Sequence, residues 1–273
     1  MDAWERARWL SKIPSGGPVA KEAVRALAAA HAVEAIPTLV AALRGAAASE
    51  DGDGARFNAE AIAAIGGAAA VDALIGLLVA YTPEEREEGN GDVSDEHWRA
   101  RSAVECALAQ LGVPVLPELR RLLDHPNRDA AVSAARVVGK LGDRTSLDTL
   151  VAWATERDED DMDYRHAALE ALGGYRDPRA TSTLLDAFVN EEERRSRANS
   201  VRIAARALGR TADPGVLEPL IEALSHHDWW VRAAACEGLC TFGGERASAA
   251  LEGVRSDPDE RVRTAAASRR GGL

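Results

Sequence analysis

The side chains with the greatest chemical reach in this 273-residue chain are six histidines and three cysteines. His226, His227 and Asp228 are consecutive and offer two imidazoles and a carboxylate, donor types that ligate borderline divalent metals. His31, His97, His125 and His166 stand alone, and solvated or capping roles account for the histidines, so no metal site is assigned. Cys236 and Cys240 are four residues apart and share a helix face, as a dithiol or half metal site requires. Cys240, however, holds a place that other copies of a repeat fill with Ala or Gly, so a small buried residue is expected there. Gly89-Asn90-Gly91-Asp92 lies among acids with no strand before it, which makes it a loop rather than a phosphate cradle. Asp158, Glu159, Asp160, Asp161 and Asp163 lack the Gly-centred spacing of an EF-hand loop. With no Walker-type or nucleophile-elbow motif either, no catalytic residue and no cofactor is expected, and a protein that is not an enzyme is favoured.

The elements around these residues must be helices. Aromatic residues make up only 4% of the chain and Ala dominates many windows, which suits close-packed helices and not sheets of β-branched and aromatic side chains. The net charge of −11 is held by two segments. Glu84–Glu96, with Glu87 and Glu88 at its centre, contributes −6, and Glu156–Asp163 contributes −5, so the rest of the chain is balanced. Three cysteines are too few and uneven to frame a secreted fold, so reduced thiols in the cytoplasm are expected. Met1-Asp2-Ala3-Trp4-Glu5-Arg6 has no basic segment leading into an apolar one, and export is not expected. Ala61–Thr82 carries one charge, Asp72, but Gly66-Gly67 breaks it into a buried helix pair and no membrane span is expected.

A repeated unit runs through the chain: an Ala-rich helix closing on a Leu-Gly-like pair, a short turn, and a second helix with its own Leu. The first-helix anchors are Leu27, Ile62, Leu108, Val138, Leu172, Leu208 and Leu239. Their second-helix partners are Leu39, Leu74, Leu119, Leu150, Leu184, Leu220 and Leu251, 12 residues on in six copies and 11 in the third. The long interval between Leu74 and Leu119 contains the first acidic segment, which reads as a loop insertion. In Ala204-Ala205-Arg206-Ala207-Leu208-Gly209 the glycine is expected to be the left-handed cap of its helix. Pro37, Pro117 and Pro219 are expected near the starts of second helices, where a missing N–H is tolerated. One pair cannot bury both of its apolar stripes, so neighbours must stack into a solenoid.

Trp230-Val231-Arg232-Ala233-Ala234-Ala235, and Val201 to Gly209 followed by Asp213-Pro214 and Val216-Leu217-Glu218-Pro219-Leu220, resemble the short HEAT-like repeats first described in phycobilisome lyases. The resemblance covers roughly residues 18–270 and implies an all-α fold: a right-handed α-α superhelix of about seven helix pairs and a C-terminal half repeat. It implies a single domain over 1–273, with residues 1–17 as an N-terminal cap (Trp4, Trp9, Leu10 and Ile13 closing the first repeat) and 260–273 as the capping half repeat.

The resembled families include scaffolds, bilin lyases, metal-dependent hydroxylases and relatives of alkyl-base DNA glycosylases. The hydroxylase branch carries His-Glu dyads, and no His-Glu dipeptide occurs here. In the resembled fold the second helices line the concave face, and here they carry Asp72, Glu118, Asp148, Asp186, Glu218, Glu222 and Glu252, which would repel phosphate. No nucleic-acid partner is expected. Loops joining one repeat to the next share a long edge, so Glu87, Glu88, Asp158, Glu159, Asp160 and Asp161 should form an acidic edge with Trp229 and Trp230 at its end. The expectation is a cytoplasmic scaffold binding a protein partner with a basic segment through that edge or the concave face. The alternatives are a lyase or chaperone-like factor in bilin-type cofactor attachment and, behind it, a DNA-glycosylase-like repair protein.

Overall fold

The structure, a computed structural model, describes residues 1–13, 17–48, 51–80, 95–156, 162–189 and 198–268. Among these residues it is helical, with short 3-10 turns and no strand. A short helix α1 (Ala3–Leu10) precedes the pairs α2 (Gly17–Ala29) with α3 (Ile36–Ala48), α4 (Gly52–Ile65) with α5 (Gly67–Ala80), and α6 (Asp95–Leu111) with α7 (Leu116–Leu123). They are followed by α8 (Arg128–Leu141) with α9 (Leu147–Thr155), and α10 (Met162–Leu172) with α11 (Pro178–Val189). The last pairs are α12 (Ala198–Thr211) with α13 (Leu217–Glu222), and α14 (Trp229–Phe242) with α15 (Gly244–Gly253), after which α16 (Glu260–Ala267) stands as a half repeat. The chain divides into two compact units, Met1–Val137 and Val138–Leu273.

All fourteen anchors are core residues: thirteen are 0% exposed and Leu251 is 8% exposed. The apolar stripes of a pair therefore close on neighbouring pairs, as the twelve-residue recurrence requires. Pro37 and Pro117 fall in the first turns of α3 and α7, and Pro219 in the first turn of α13. Ala61–Thr82 is interrupted at Gly66 and Gly67, whose φ angles are 73° and 76°. No helix among the described residues is long and apolar enough to cross a membrane.

The cap expectation is corrected. Gly209 lies inside α12, and the left-handed residue is Ala212, φ 53°, four places after the anchor Leu208. The same place after other anchors is held by His31, Gly66, Gly112, Gly142 and Gly243, all with positive φ. Glycine follows the anchor for a different reason: no room exists for a side chain. A Cβ on Gly139 would stand 2.5 Å from the Cα of Ala171, one on Gly173 would stand 2.9 Å from the Cα of Ala207, and one on Gly209 would strike the carbonyl oxygen of Gly238. First helices of the C-terminal unit thus pack nearly backbone to backbone.

The ends hold as follows. Asp2 and Glu5 form a capping box on α1, Ile13 is buried and Trp4 is 69% exposed. In α16 Val262 and Ala266 are buried, and Asp259 accepts the Arg261 N–H at 2.9 Å.

Turns are built alike in both units. A side-chain acceptor takes the backbone N–H two residues on, from His125 to Asn127, Asp177 to Arg179, Asp213 to Gly215, His226 to Asp228 and Asp257 to Asp259. These turns fix where each following helix begins, and so which of its side chains face its neighbours.

Candidate functional site: an arginine and tryptophan groove

Within the C-terminal unit, the first helices α12, α14 and α16, with Ser248 and Leu251 of α15, line an open groove of about 1280 Å³. Arg202, Arg206 and Arg210 are spaced four apart and form one row along α12. Trp229 and Trp230 face them from the start of α14, both half-buried, and Arg261 enters from α16.

The cations differ in how firmly they are held. Arg202 is exposed and has no hydrogen bond or ion pair among the described residues. Arg206 Nε stands 3.8 Å from Glu237 Oε2, a loose contact. Arg210 Nη2 donates to the Glu170 carbonyl at 2.6 Å, and desolvation lowers its guanidinium pKa, against the pull of Glu170. An arginine keeps its charge even so. Arg261 donates to Asp259 at 2.8 Å and its Cζ lies 3.2 Å from the centroid of the Trp229 ring, a cation-π stack. Its hydrogen bond is the main reason that the Asp259 carboxyl is pushed down to about 2.

Such a surface can hold an extended anion with a conjugated face. Guanidinium forks pair with carboxylates, and the indoles give the apolar part a platform. It cannot offer a thiolate nucleophile through Cys236, since burial pushes that thiol up to about 12. Cys240 is half-buried on the groove wall, and its Sγ lies 3.7 Å from the Ala265 carbonyl.

Of the residues expected to bind a partner, the structure places Trp229 and Trp230, and places them beside arginines. Asp158, Glu159, Asp160, Asp161, Glu87 and Glu88 lie outside the described residues. The second helices, expected to offer free carboxylates on a concave face, give this groove only Gly244, Ser248 and Leu251 of α15 and none of those carboxylates. Several of their acids are also paired: Glu118 with Arg121 at 2.8 Å, Asp148 with Arg179 at 2.6 Å, Glu218 with Arg246 at 2.7 Å and Glu252 with Arg255 at 2.8 Å. The arginine row was missed although its four-residue spacing is visible in the sequence.

The sequence profile of HEAT repeats matches residues 116–202 and 199–269, more than half of the chain. The chain belongs to the HEAT-repeat family. Among curated proteins, this HEAT-repeat protein is similar to a phycocyanobilin lyase subunit alpha from a Picosynechococcus species, 32% identical over 113 residues. That match takes in 38% of this chain and 42% of the lyase subunit, so the likeness spans less than half the length of its relative. Among solved structures, human deoxyhypusine hydroxylase in complex with glycerol is similar at a TM-score of 0.38 and 17% identity, over 97% of this chain and 94% of that one. The complex of CpcE and CpcF of phycocyanin lyase from Nostoc sp. is similar at a TM-score of 0.35 and 20% identity, over 75% of this chain and all of that one.

Proposed function

We propose that this HEAT-repeat protein acts as a lyase-type or chaperone-like subunit in attaching a linear tetrapyrrole to a protein, with the chromophore held in the arginine and tryptophan groove. The observation that carries this reading is the 113-residue likeness to phycocyanobilin lyase subunit alpha. The chemistry of the groove supports it. A linear tetrapyrrole is an extended conjugated dianion: its propionates suit Arg202 and Arg206, and its rings suit the faces of Trp229 and Trp230. The role of the chain is to bind and orient; chromophore attachment further requires the acceptor protein, so a protein partner belongs to the reading. An acidic edge attracting a basic segment of that partner is part of the same proposal.

The test is an absorbance and fluorescence titration of the purified chain with biliverdin. Saturable binding to one site is expected, accompanied by a shift of the pigment band. The Arg202→Glu, Arg206→Glu double variant should bind about 100-fold more weakly, since each charged hydrogen bond contributes roughly 1.5–3 kcal/mol and 1.4 kcal/mol is tenfold. If the pigment does not saturate, or the double variant binds as wild type does, the chromophore reading fails. The scaffold reading then stands to be examined by pull-down at two salt concentrations, where a partner lost at high salt supports an acidic contact.

A further inference from the structure

Loop 226–228 departs from the turns built like it elsewhere in the protein. In His125-Pro126-Asn127 and Asp257-Pro258-Asp259, the first residue accepts the N–H of the third, and the middle residue is proline. His226 and Asp228 keep this bond at 3.1 Å, but the middle residue is His227, whose side chain is 79% exposed. The third residue also behaves differently. Asp259 caps its helix by accepting the Arg261 N–H, as an aspartate at that place ordinarily does. Asp228, at the same place on α14, makes no side-chain cap bond. Its Oδ2 instead lies 3.3 Å from His227 Nε2 and 4.0 Å from His226 Nδ1.

Two imidazoles and a carboxylate therefore converge, with one ligand atom from each residue and all three within 4.8 Å of one another. We propose that His226, His227 and Asp228 form a three-ligand site for a first-row divalent cation of the zinc class. Bond lengths of about 2.0–2.2 Å in tetrahedral geometry hold ligand atoms roughly 3.3–3.6 Å apart. The His227–Asp228 separation of 3.3 Å already meets this, the His226–Asp228 separation of 4.0 Å needs a contraction of a few tenths of an ångström, and the two imidazoles, within 4.8 Å, close to the same range by rotation of the exposed His227 side chain as the ion binds. His226 Nδ1 accepts the Asp228 amide, so that nitrogen carries a lone pair and no proton; the ion takes the lone pair in place of the amide. Imidazole nitrogen with one carboxylate oxygen selects zinc, nickel or copper over calcium and magnesium.

The loop is braced from behind. Arg232 Nη1 donates to the carbonyls of His226 and His227 at 2.9 and 3.0 Å, while Nε and Nη2 bind Asp257 at 2.8 and 2.9 Å. Such outer contacts orient ligands and raise affinity. Three protein ligands leave a fourth position for water or for an anionic group of a bound molecule. Trp229, the next residue, lines the groove, so the three ligands precede a groove residue directly in the chain. The site rests on ligand geometry alone and is independent of the chromophore reading.

Tag-free, chelator-treated protein titrated with Zn²⁺ by isothermal calorimetry, and with Co²⁺ by visible absorbance, tests it. One saturable site per chain is expected, with Co²⁺ bands of a low-coordinate nitrogen and oxygen site. His227→Ala and Asp228→Asn should each weaken Zn²⁺ binding by about 100-fold, at or above the 10–100-fold that loss of an outer contact causes. His125→Ala, at the turn with no second imidazole, should leave it unchanged. His227 is exposed, so its loss leaves the fold intact, which circular dichroism checks. Absence of a saturable site, or equal binding by His227→Ala and wild type, overturns the proposal.

Discussion

Gly238→Ala is expected to destabilise the protein by about 2 kcal/mol, and the same exchange at Gly76 to stabilise it by up to about 1 kcal/mol. Both glycines are helical, in α14 and α5, so both gain helix propensity on acquiring a methyl group, worth roughly 1 kcal/mol. What separates them is the neighbour. A Cβ on Gly76 meets nothing within 4 Å, whereas one on Gly238 would stand 2.6 Å from the carbonyl oxygen of Ala205 and 2.9 Å from Leu220 Cδ2. The Ala205 oxygen belongs to helix backbone and cannot swing aside as a flexible side chain would. Overpacking of a filled interior costs about 1–3 kcal/mol and at times more, which outweighs the propensity gain.

Thermal and denaturant unfolding of the two variants reads the sign directly. A loss of 2 kcal/mol corresponds to a fall of roughly 4–8 °C in Tm for a chain somewhat shorter than this one. Stabilisation by both exchanges would mean that the first helices are not in backbone contact, and the groove that they line would need to be redrawn.

The same glycines show what the sequence could and could not disclose. Repeat number, helix pairing and the fourteen anchors were legible because burial follows apolar periodicity, and each copy tests the others. The role of Gly209 was not, since a left-handed cap and a close approach of backbones both demand a residue without a Cβ. Only position separates the two causes, and the recurring residue four places after the anchor, glycine at 66, 112, 142 and 243, was masked by His31 and Ala212. His31 takes up the left-handed conformation with its Nδ1 2.8 Å from the Ile65 carbonyl oxygen, which offsets part of the backbone strain. No such contact explains Ala212.

The groove stayed hidden for another reason. Net charge summed along the chain is concentrated in the acidic loops, and averaging over whole helices conceals a row such as Arg202, Arg206 and Arg210, which exists only on one face. Trp229 and Trp230 were found because large aromatic side chains beside a loop stand out in a chain with so few; their cationic surroundings could come only from the packing of α12, α14 and α16 together.

Asp257→Ala is expected to destabilise the C-terminal unit by about 3 kcal/mol at neutral pH, chiefly through the arginine that it leaves behind and also through the Asp259 N–H that loses its acceptor. Arg232 and Asp257 form a two-pronged ion pair with side chains only 12% and 6% exposed. Breaking a buried pair from one side costs roughly 3–5 kcal/mol, because the surviving charge stays in a poorly solvated place. The lower end is expected here, since Arg232 keeps the carbonyls of His226 and His227 as acceptors. Replacing both partners by apolar residues should cost less than removing Asp257 alone, which a double-mutant cycle measures.

The pH dependence has a definite sign. The hydrogen bonds from Arg232 hold the Asp257 carboxyl below its ordinary value, with burial acting in the opposite direction. A depressed carboxyl stabilises the fold fully above the unfolded pKa, near 3.9, and loses that contribution as pH falls through the folded value. The gap in Tm between wild type and Asp257→Ala should therefore be constant at neutral pH and narrow only below about pH 4. Because Arg232 also braces the two histidine carbonyls, Asp257→Ala should weaken Zn²⁺ binding by about 10-fold or more without touching a ligand. A variant that lost stability but kept full Zn²⁺ affinity would show that loop 226–228 holds its shape without Arg232 being anchored, and that the ion pair serves the stacking of α14 on α16 alone.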